Sequence, residues 1–243
     1  MLSVAVVTER AAPDKSPDRI ASMFDAIAPR YDFLNHLLSA GIDRDWRAKA
    51  IESLQLSGGE TLVDVCAGTA DVALEARRRG ASRVVGVDFA GAMLMRGWHK
   101  VLAAGEADHV TLVRGDATRL PIQNARVDAA TLAFGIRNVQ QPDLACAEIA
   151  RVLRPGGRLA ILEFGIPNAP GIRSLYRWYF TRVLPTIGRL VSGHTAAYSY
   201  LPTSVGTFAS PEEFVESLRK AGFNEVRTVR LTLGVVYLYT ARR

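Results

Sequence analysis

The chain has 243 residues, 49% of them hydrophobic and 22% charged, with a formal net charge of +6. This composition excludes intrinsic disorder and allows one large domain with a full core. No apolar run reaches the length of about 18 residues that a spanning helix needs, and the basic balance keeps nucleic acid or an anionic membrane surface in view as partners.

Residues 1–17 hold Pro13, Pro17 and mixed charges and read as a flexible lead-in. Residues 2–7 are apolar but too few for a secretory core. From Asp18 to Leu54 the apolar period is helical, and Pro29 and Gly41 divide it into three short helices. Residues 18–56 read as a packing cap or as a lid, since polar Tyr31, Asp32, Asn35 and His36 crowd one segment.

Strand and helix patterns then alternate. Strands are expected at about 61–66, 83–88, 109–114 and 127–134, with helices at about 71–79 and 90–104 between the first three. A helix over 140–152 precedes the turn Leu153–Arg154–Pro155–Gly156–Gly157, which launches a fifth strand, Arg158–Glu163. This spacing means βαβ units and a mostly parallel sheet covered on both faces. The alternation stops between Phe164 and Pro211, a segment with no Asp or Glu but with Arg173, Arg177, Arg182 and Arg189 among seven aromatic residues. Ser210–Pro211–Glu212–Glu213 then opens a helix, with serine as cap and proline at the first helical position. Two closing strands at about 223–230 and 233–241 pair as a hairpin, completing a Rossmann-like, seven-stranded α/β sheet with one antiparallel strand. Residues 18–243 are thus one domain, with 164–208 inserted after strand 5. Cys66 and Cys146 fall in core elements and fit reduced cytoplasmic thiols.

The stretch Thr61–Asp71, T-L-V-D-V-C-A-G-T-A-D, carries the first functional signal. A buried strand holding Asp64 breaks into a small-residue turn, and a helix follows, which is where open α/β sheets hold nucleotide-like cofactors. Twenty-four residues after Asp64 the second strand ends on Asp88, placed for the two hydroxyls of a ribose. Gly115–Asp116–Ala117 follows the third strand. A dinucleotide fold needs three glycines here and only Gly68 is in place; the lysine–serine/threonine pair of a P-loop is absent too. What remains suits an adenosine with an amino-acid tail and no pyrophosphate, which is S-adenosylmethionine. Asp64, Gly68, Thr69, Asp88, Asp116 and Ala117 are the candidate cofactor residues, and the fold class is a class I S-adenosylmethionine-dependent methyltransferase. Taken singly, Asp88 also reads as a helix cap and Asp116 as a loop residue.

The chain resembles the ubiquinone/menaquinone biosynthesis C-methyltransferases from about Asp18 to Phe208. The matching segments include M-F-D-A-I-A-P-R-Y-D-F-L-N (23–35), S-A-G-I-D-R-D-W-R (39–47), D-V-C-A-G-T-A-D (64–71), G-D-A-T-R-L-P (115–121), A-F-G-I-R-N-V (133–139), R-V-L-R-P-G-G (151–157), L-E-F (162–164) and Y-S-Y-L-P-T-S-V (198–205). The resemblance implies cofactor contacts at Thr69, Asp88, Asp116 and Ala117. It also implies methyl transfer to a ring carbon of a prenylated quinol, with no metal required. The family's turn usually reads G-T-G-D, and Ala70 replaces its second glycine. Members acting on ubiquinone precursors often carry serine where this chain has Ala133, which leans toward a demethylmenaquinol.

The reaction needs an ionised ring hydroxyl beside the accepting carbon, held in line with the methyl. Arg137, after the fourth strand, is the candidate for stabilising that phenolate, being a fixed cation with forked donors. The proton goes to a water held by Asn138, Tyr31 or Asp32, or to His194 directly. The arginine–aromatic segment fits a peripheral contact with anionic lipid at the inner face of the membrane, guiding the prenyl tail. Otherwise it packs a helix on the sheet. The residues leave the oligomeric state open, a homodimer included. The chief rival class is a nucleic-acid methyltransferase, but the N-P-P-aromatic motif of the amino-methylating kind is replaced here by A-F-G-I-R, so nucleic acid is not an expected partner. A non-catalytic binding module is a third reading, supported by Ala70.

Overall fold

The structure, a computed structural model, describes residues 14–167, 169–183 and 195–243. Its strands are β1 (Thr61–Val65), β2 (Arg83–Asp88), β3 (Val110–Arg114), β4 (Val127–Ala133), β5 (Leu153–Phe164), β6 (Asn224–Leu231) and β7 (Val236–Arg242). They form one seven-stranded sheet in the order β3-β2-β1-β4-β5-β7-β6. Val63 of β1 pairs in parallel with Val85 on one side and Ala130 on the other. β7 is the antiparallel strand, with Tyr239 opposite Ile161 of β5 and Thr228 of β6. It lies between β5 and β6, so the closing hairpin adds its second strand to the sheet first.

Neighbouring residues of each central strand serve opposite faces. Val63, Leu132 and Ile161 join Ile149, Phe214 and Leu218 on one side, while Leu62, Ala129 and Leu162 join Trp46, Ile51 and Val101 on the other. Burial on both faces is why these strands read as near-continuous apolar runs. The covering helices are α1 (Pro17–Leu38), α2 (Asp43–Ser53), α3 (Asp71–Arg78), α4 (Gly91–Ala103), α5 (Pro142–Val152), α6 (Pro170–Trp178), α7 (Thr195–Gly206) and α8 (Pro211–Lys220). α8 opens on the anticipated cap: Ser210 Oγ accepts from the Glu213 N–H, and the Glu213 side chain returns the bond to the Ser210 N–H.

Two expectations need correcting. The N-terminal segment forms two helices rather than three, because α1 continues through Pro29. Ile20, Ile27 and Leu34, all buried, keep one face of α1 packed along its whole length, while Pro29 is exposed, away from that packed face. Gly41, at φ +79°, supplies the break instead. The second correction concerns β5, which begins at Leu153 opposite Val127 rather than at Arg158. The Arg154–Gly157 turn lies within the strand as a bulge, with Gly156 at φ +76°, before Arg158 rejoins opposite Ala129.

Glu60, just before β1, ties this edge of the core together. Its carboxylate accepts from Arg158 Nη2 at 2.6 Å and from the Ser57 N–H at 2.8 Å. Burial acts to raise its pKa, but Arg158 and Ser57 outweigh that and bring it down to about 2. A depressed carboxylate contributes stability above its unfolded pKa and loses it as the pH falls through the folded one. Glu60→Gln should therefore cost about 1–2 kcal/mol at neutral pH and flatten the acid loss of stability between about pH 4.5 and 2, read by denaturant titration at several pH values.

Candidate active site

The carboxyl ends of β1, β2 and β3 meet at Asp88. Its Oδ2 accepts from the Gly68 N–H at 2.8 Å and its Oδ1 from the Ala90 N–H at 2.9 Å. Its own carbonyl accepts from the Gly115 N–H at 2.9 Å. Asp88 therefore holds the glycine turn and the start of α4 together, and its carboxylate keeps further lone pairs for a ligand. Asp116 accepts from both the N–H and the hydroxyl of Thr118 at 2.8 Å, and Ala117 behind it is buried. Asp64, only 1% exposed inside β1, has an Oδ2 with no partner among the described residues. Burial, reinforced by the Asp88 carboxylate, pushes its pKa well above the ordinary range. An orphaned buried carboxylate oxygen next to a second carboxylate fits a ligand that brings an ammonium and a ribose diol, as S-adenosylmethionine does.

Ala70 caps α3 in the left-handed region, at φ +64° and ψ 20°. That conformation costs an L-residue roughly 1–2 kcal/mol, and the methyl must also find room. Room comes from α4: a Cβ built at Gly97 would lie 3.2 Å from Ala70 Cβ and 3.1 Å from the Thr69 carbonyl carbon. The methyl missing at Gly97 is the one present at Ala70. Gly97→Ala should destabilise the protein by about 1–3 kcal/mol, and Ala70→Gly in the same chain should recover part of it. Thermal melts of the two single variants and the double variant check this.

α1 touches both halves of the site with successive residues. Asp32 accepts from Thr69 Oγ1 at 2.5 Å and pairs with Lys100 and Arg96 of α4 at 3.2 and 3.3 Å. Lys100 also pairs with Asp71. Burial raises the Asp32 pKa, but Thr69 and Lys100 more than offset it and hold the carboxyl below the ordinary range. Tyr31 faces the other way, into a cavity of about 550 Å³.

That cavity is walled by aromatic side chains. Phe134 and Phe164 lie with centroids 4.6 Å apart and their rings tilted by 31°, and Trp46 lies 6.0 Å from the first and 6.3 Å from the second. Phe134, at the end of β4, sits at φ +60°, an unusual conformation for a bulky residue that turns the chain sharply at the site. Trp46 Nε1 donates to Thr232 Oγ1 at 2.8 Å, tying the β6–β7 turn over the cavity to α2. At the polar end, Asp43 accepts from Arg47, His36 and Ser39 at 2.5, 2.8 and 2.7 Å.

Arg137 enters from a short 3-10 turn after β4 and is 6% exposed. Its Nη1 donates to Glu163 Oε1 at 2.7 Å and to the Phe134 carbonyl at 2.5 Å, and its Nε to Ser204 Oγ at 3.4 Å. The guanidinium carbon stands 5.3 Å from the centroid of Phe164. Nη2 has no partner among the described residues.

The structure thus brings Arg137 and Tyr31 to one cavity and gathers Gly68, Thr69, Asp88, Asp116 and Ala117 at the strand ends. It separates Asp32 from Tyr31: the carboxylate faces the glycine turn, where it meets Thr69, Lys100 and Arg96. Asn138 is buried and leans on the Phe134 carbonyl at 3.4 Å, outside the cavity lining. His194 and Arg189 lie outside the described residues, as does the lead-in up to residue 13. Glu163 was not singled out from the sequence, though an acid inside the apolar run 159–164 carries the same signal as Asp64. Trp46 and Phe134 have no functional role in that reading, and Phe164 counts there only among the aromatic residues of the 164–208 insertion.

The fold and this site define an S-adenosylmethionine-dependent methyltransferase. The profile of the ubiE/COQ5 methyltransferase family matches residues 13–243. The chain belongs to that family. It is 42% identical over 228 residues to the ubiquinone/menaquinone biosynthesis C-methyltransferase UbiE of Geotalea daltonii, covering 93% of this chain and 97% of that protein. It is also 42% identical to the demethylmenaquinone methyltransferase of Streptomyces avermitilis, over 95% and 96% of the two chains. Among solved structures, the [4+2]-cyclase SpnF superposes with a TM-score of 0.72 at 21% identity over 96% of this chain and 97% of that one. That likeness speaks for the fold alone.

Proposed function

We propose that the protein methylates a ring carbon of a prenylated quinol, with a demethylmenaquinol as substrate. The observation that carries this reading is Arg137: a fixed cation with one uncommitted donor edge, in an aromatic-walled cavity that shares α1 with the glycine turn. The names of the relatives support the same substrate class.

When bound, S-adenosylmethionine supplies an electrophilic methyl group on a sulfonium. Gly68, Asp88 and Asp64 hold its sugar and its amino-acid end. Phe134, Phe164 and Trp46 receive the planar ring and exclude water, which strengthens every charge interaction inside. Arg137 stabilises the ionised hydroxyl, and Glu163 keeps the guanidinium in one orientation. Tyr31 does not act as the base, because burial raises its pKa and leaves it a donor. The ring carbon that gains the methyl releases its hydrogen as a proton, and the ring oxygen takes a proton back.

Incubation with methyl-labelled cofactor and either a demethylmenaquinol or a methoxy-benzoquinol, followed by mass analysis, tests the choice. Product confined to the benzoquinol would refute it.

The cavity mouth supports a peripheral bilayer contact at the inner face of the membrane. Trp178 and Ile42 line the cavity yet are 57% and 42% exposed, and Leu233, between lining residues Thr232 and Val235, is 72% exposed. Exposed Arg173 on α6 adds positive charge near this apolar rim. Among the described residues no helix is long and apolar enough to cross a membrane. The protein should co-sediment with anionic vesicles, and Leu233→Glu with Arg173→Glu should reduce the bound fraction at unchanged turnover of a short-tailed quinol.

A further inference from the structure

The described cavity wall contains a hydroxyl that no described residue satisfies. Tyr200 lines the cavity from α7, and its Oη is buried with no hydrogen-bond partner among the described residues. One helical turn further on, Ser204 Oγ accepts from Arg137 Nε at 3.4 Å, so the same face of α7 addresses the arginine. Two carbonyls on these elements already accept bonds. The Leu201 carbonyl serves Ser204 at 3.0 Å, and the Phe134 carbonyl serves both Arg137 and Asn138. A buried O–H without an acceptor is a defect in a folded protein unless a ligand supplies the oxygen.

A phenolate oxygen accepts more than one hydrogen bond, and Arg137 has only Nη2 left to offer it. We propose that Tyr200 is a catalytic residue whose hydroxyl donates to the same ring oxygen as Arg137. This rests on the quinol reading above. The charged groups that Tyr200 faces are Arg137, Glu163 and Arg19. Burial, only partly opposed by Arg137, raises its pKa, so the hydroxyl stays protonated and available as a donor around neutral pH. The bond strengthens as charge develops on the oxygen, so its benefit falls on turnover more than on ground-state binding.

Tyr200→Phe removes only the oxygen. With S-adenosylmethionine and a short-tailed demethylmenaquinol, kcat should fall by about 10- to 100-fold. The rising limb of the kcat–pH profile should move up by about one unit, because the bound hydroxyl ionises less readily. Cofactor Kd should stay the same, and Tm should stay the same or rise, since an unsatisfied group has been deleted. A kcat within about twofold of wild type with an unmoved pH profile would overturn the proposal. So would a lowered Tm, which would give the hydroxyl a partner inside the protein. If the wild-type enzyme methylates no quinol, both readings fall; if it does and Tyr200→Phe matches it, only Tyr200 is misassigned.

Discussion

Arg137→Ala should lower kcat by about 10²- to 10³-fold, while the Kd for S-adenosylmethionine stays near its wild-type value. The guanidinium lines the aromatic cavity, and its bonds run to β5 and α7 rather than to the glycine turn. Its loss therefore removes charge stabilisation and leaves the Gly68–Asp88 bond intact. Stability will fall as well. Glu163 is 1% exposed, and deleting its partner strands a buried carboxylate at a cost of about 3–5 kcal/mol. The two effects separate in a second variant, Arg137→Met with Glu163→Leu, which should recover much of the stability and none of the turnover. Calorimetric titration with cofactor, beside turnover measured well below Tm, checks both. Collapse of cofactor affinity in a folded Arg137→Ala protein would place the residue at the other site.

For Asp88→Ala, the expected result is a rise of about 100-fold or more in the Kd for S-adenosylmethionine, on the order of 3 kcal/mol. Two losses combine. The ribose hydroxyls lose a charged acceptor, and the Gly68 and Ala90 N–H groups lose the carboxylate that sets the turn against α4. Asp88→Asn keeps the size and one acceptor oxygen, and should fall between wild type and alanine. Burial raises the Asp88 pKa, so acid should weaken cofactor binding at a higher pH than an ordinary aspartate would allow. Calorimetric titration across pH reads all three; equal affinities for wild type and Asp88→Ala would remove Asp88 from the site.

Much of the fold was legible because its signals are local. Val63 and Val85 lie in apolar runs whose length and spacing specify parallel strands, and Ser210 with Glu213 announces a helix start within four residues. The glycine turn was legible for the same reason, since Asp64, Gly68 and Asp88 occupy fixed places at strand ends. Pro29 misled because its effect depends on whether it faces solvent, and the helical period alone does not fix which face points outward. Tyr31 and Asp32 posed the same difficulty. Both were visible as polar residues in a helical segment, yet successive helical positions point about 100° apart, so one reached the cavity and the other the glycine turn. Partners were the least legible part. Asp32 meets Thr69 across 37 positions of chain and Arg137 meets Ser204 across 67, and no local pattern encodes which distant side chains will meet. Glu163 shows the middle case: its burial was readable from the apolar run around it, but its partner was not.

The adjacency of Tyr31 and Asp32 on α1 has a thermodynamic corollary. One helix is the common wall of two compartments, clasping Thr69 with one side chain and bounding the aromatic cavity with the next. A shift of that helix that loosened the clasp would also displace the Tyr31 ring, and occupancy of either compartment is then expected to bias the other. Such coupling is reciprocal: the factor by which the cofactor changes quinol affinity is the factor by which the quinol changes cofactor affinity.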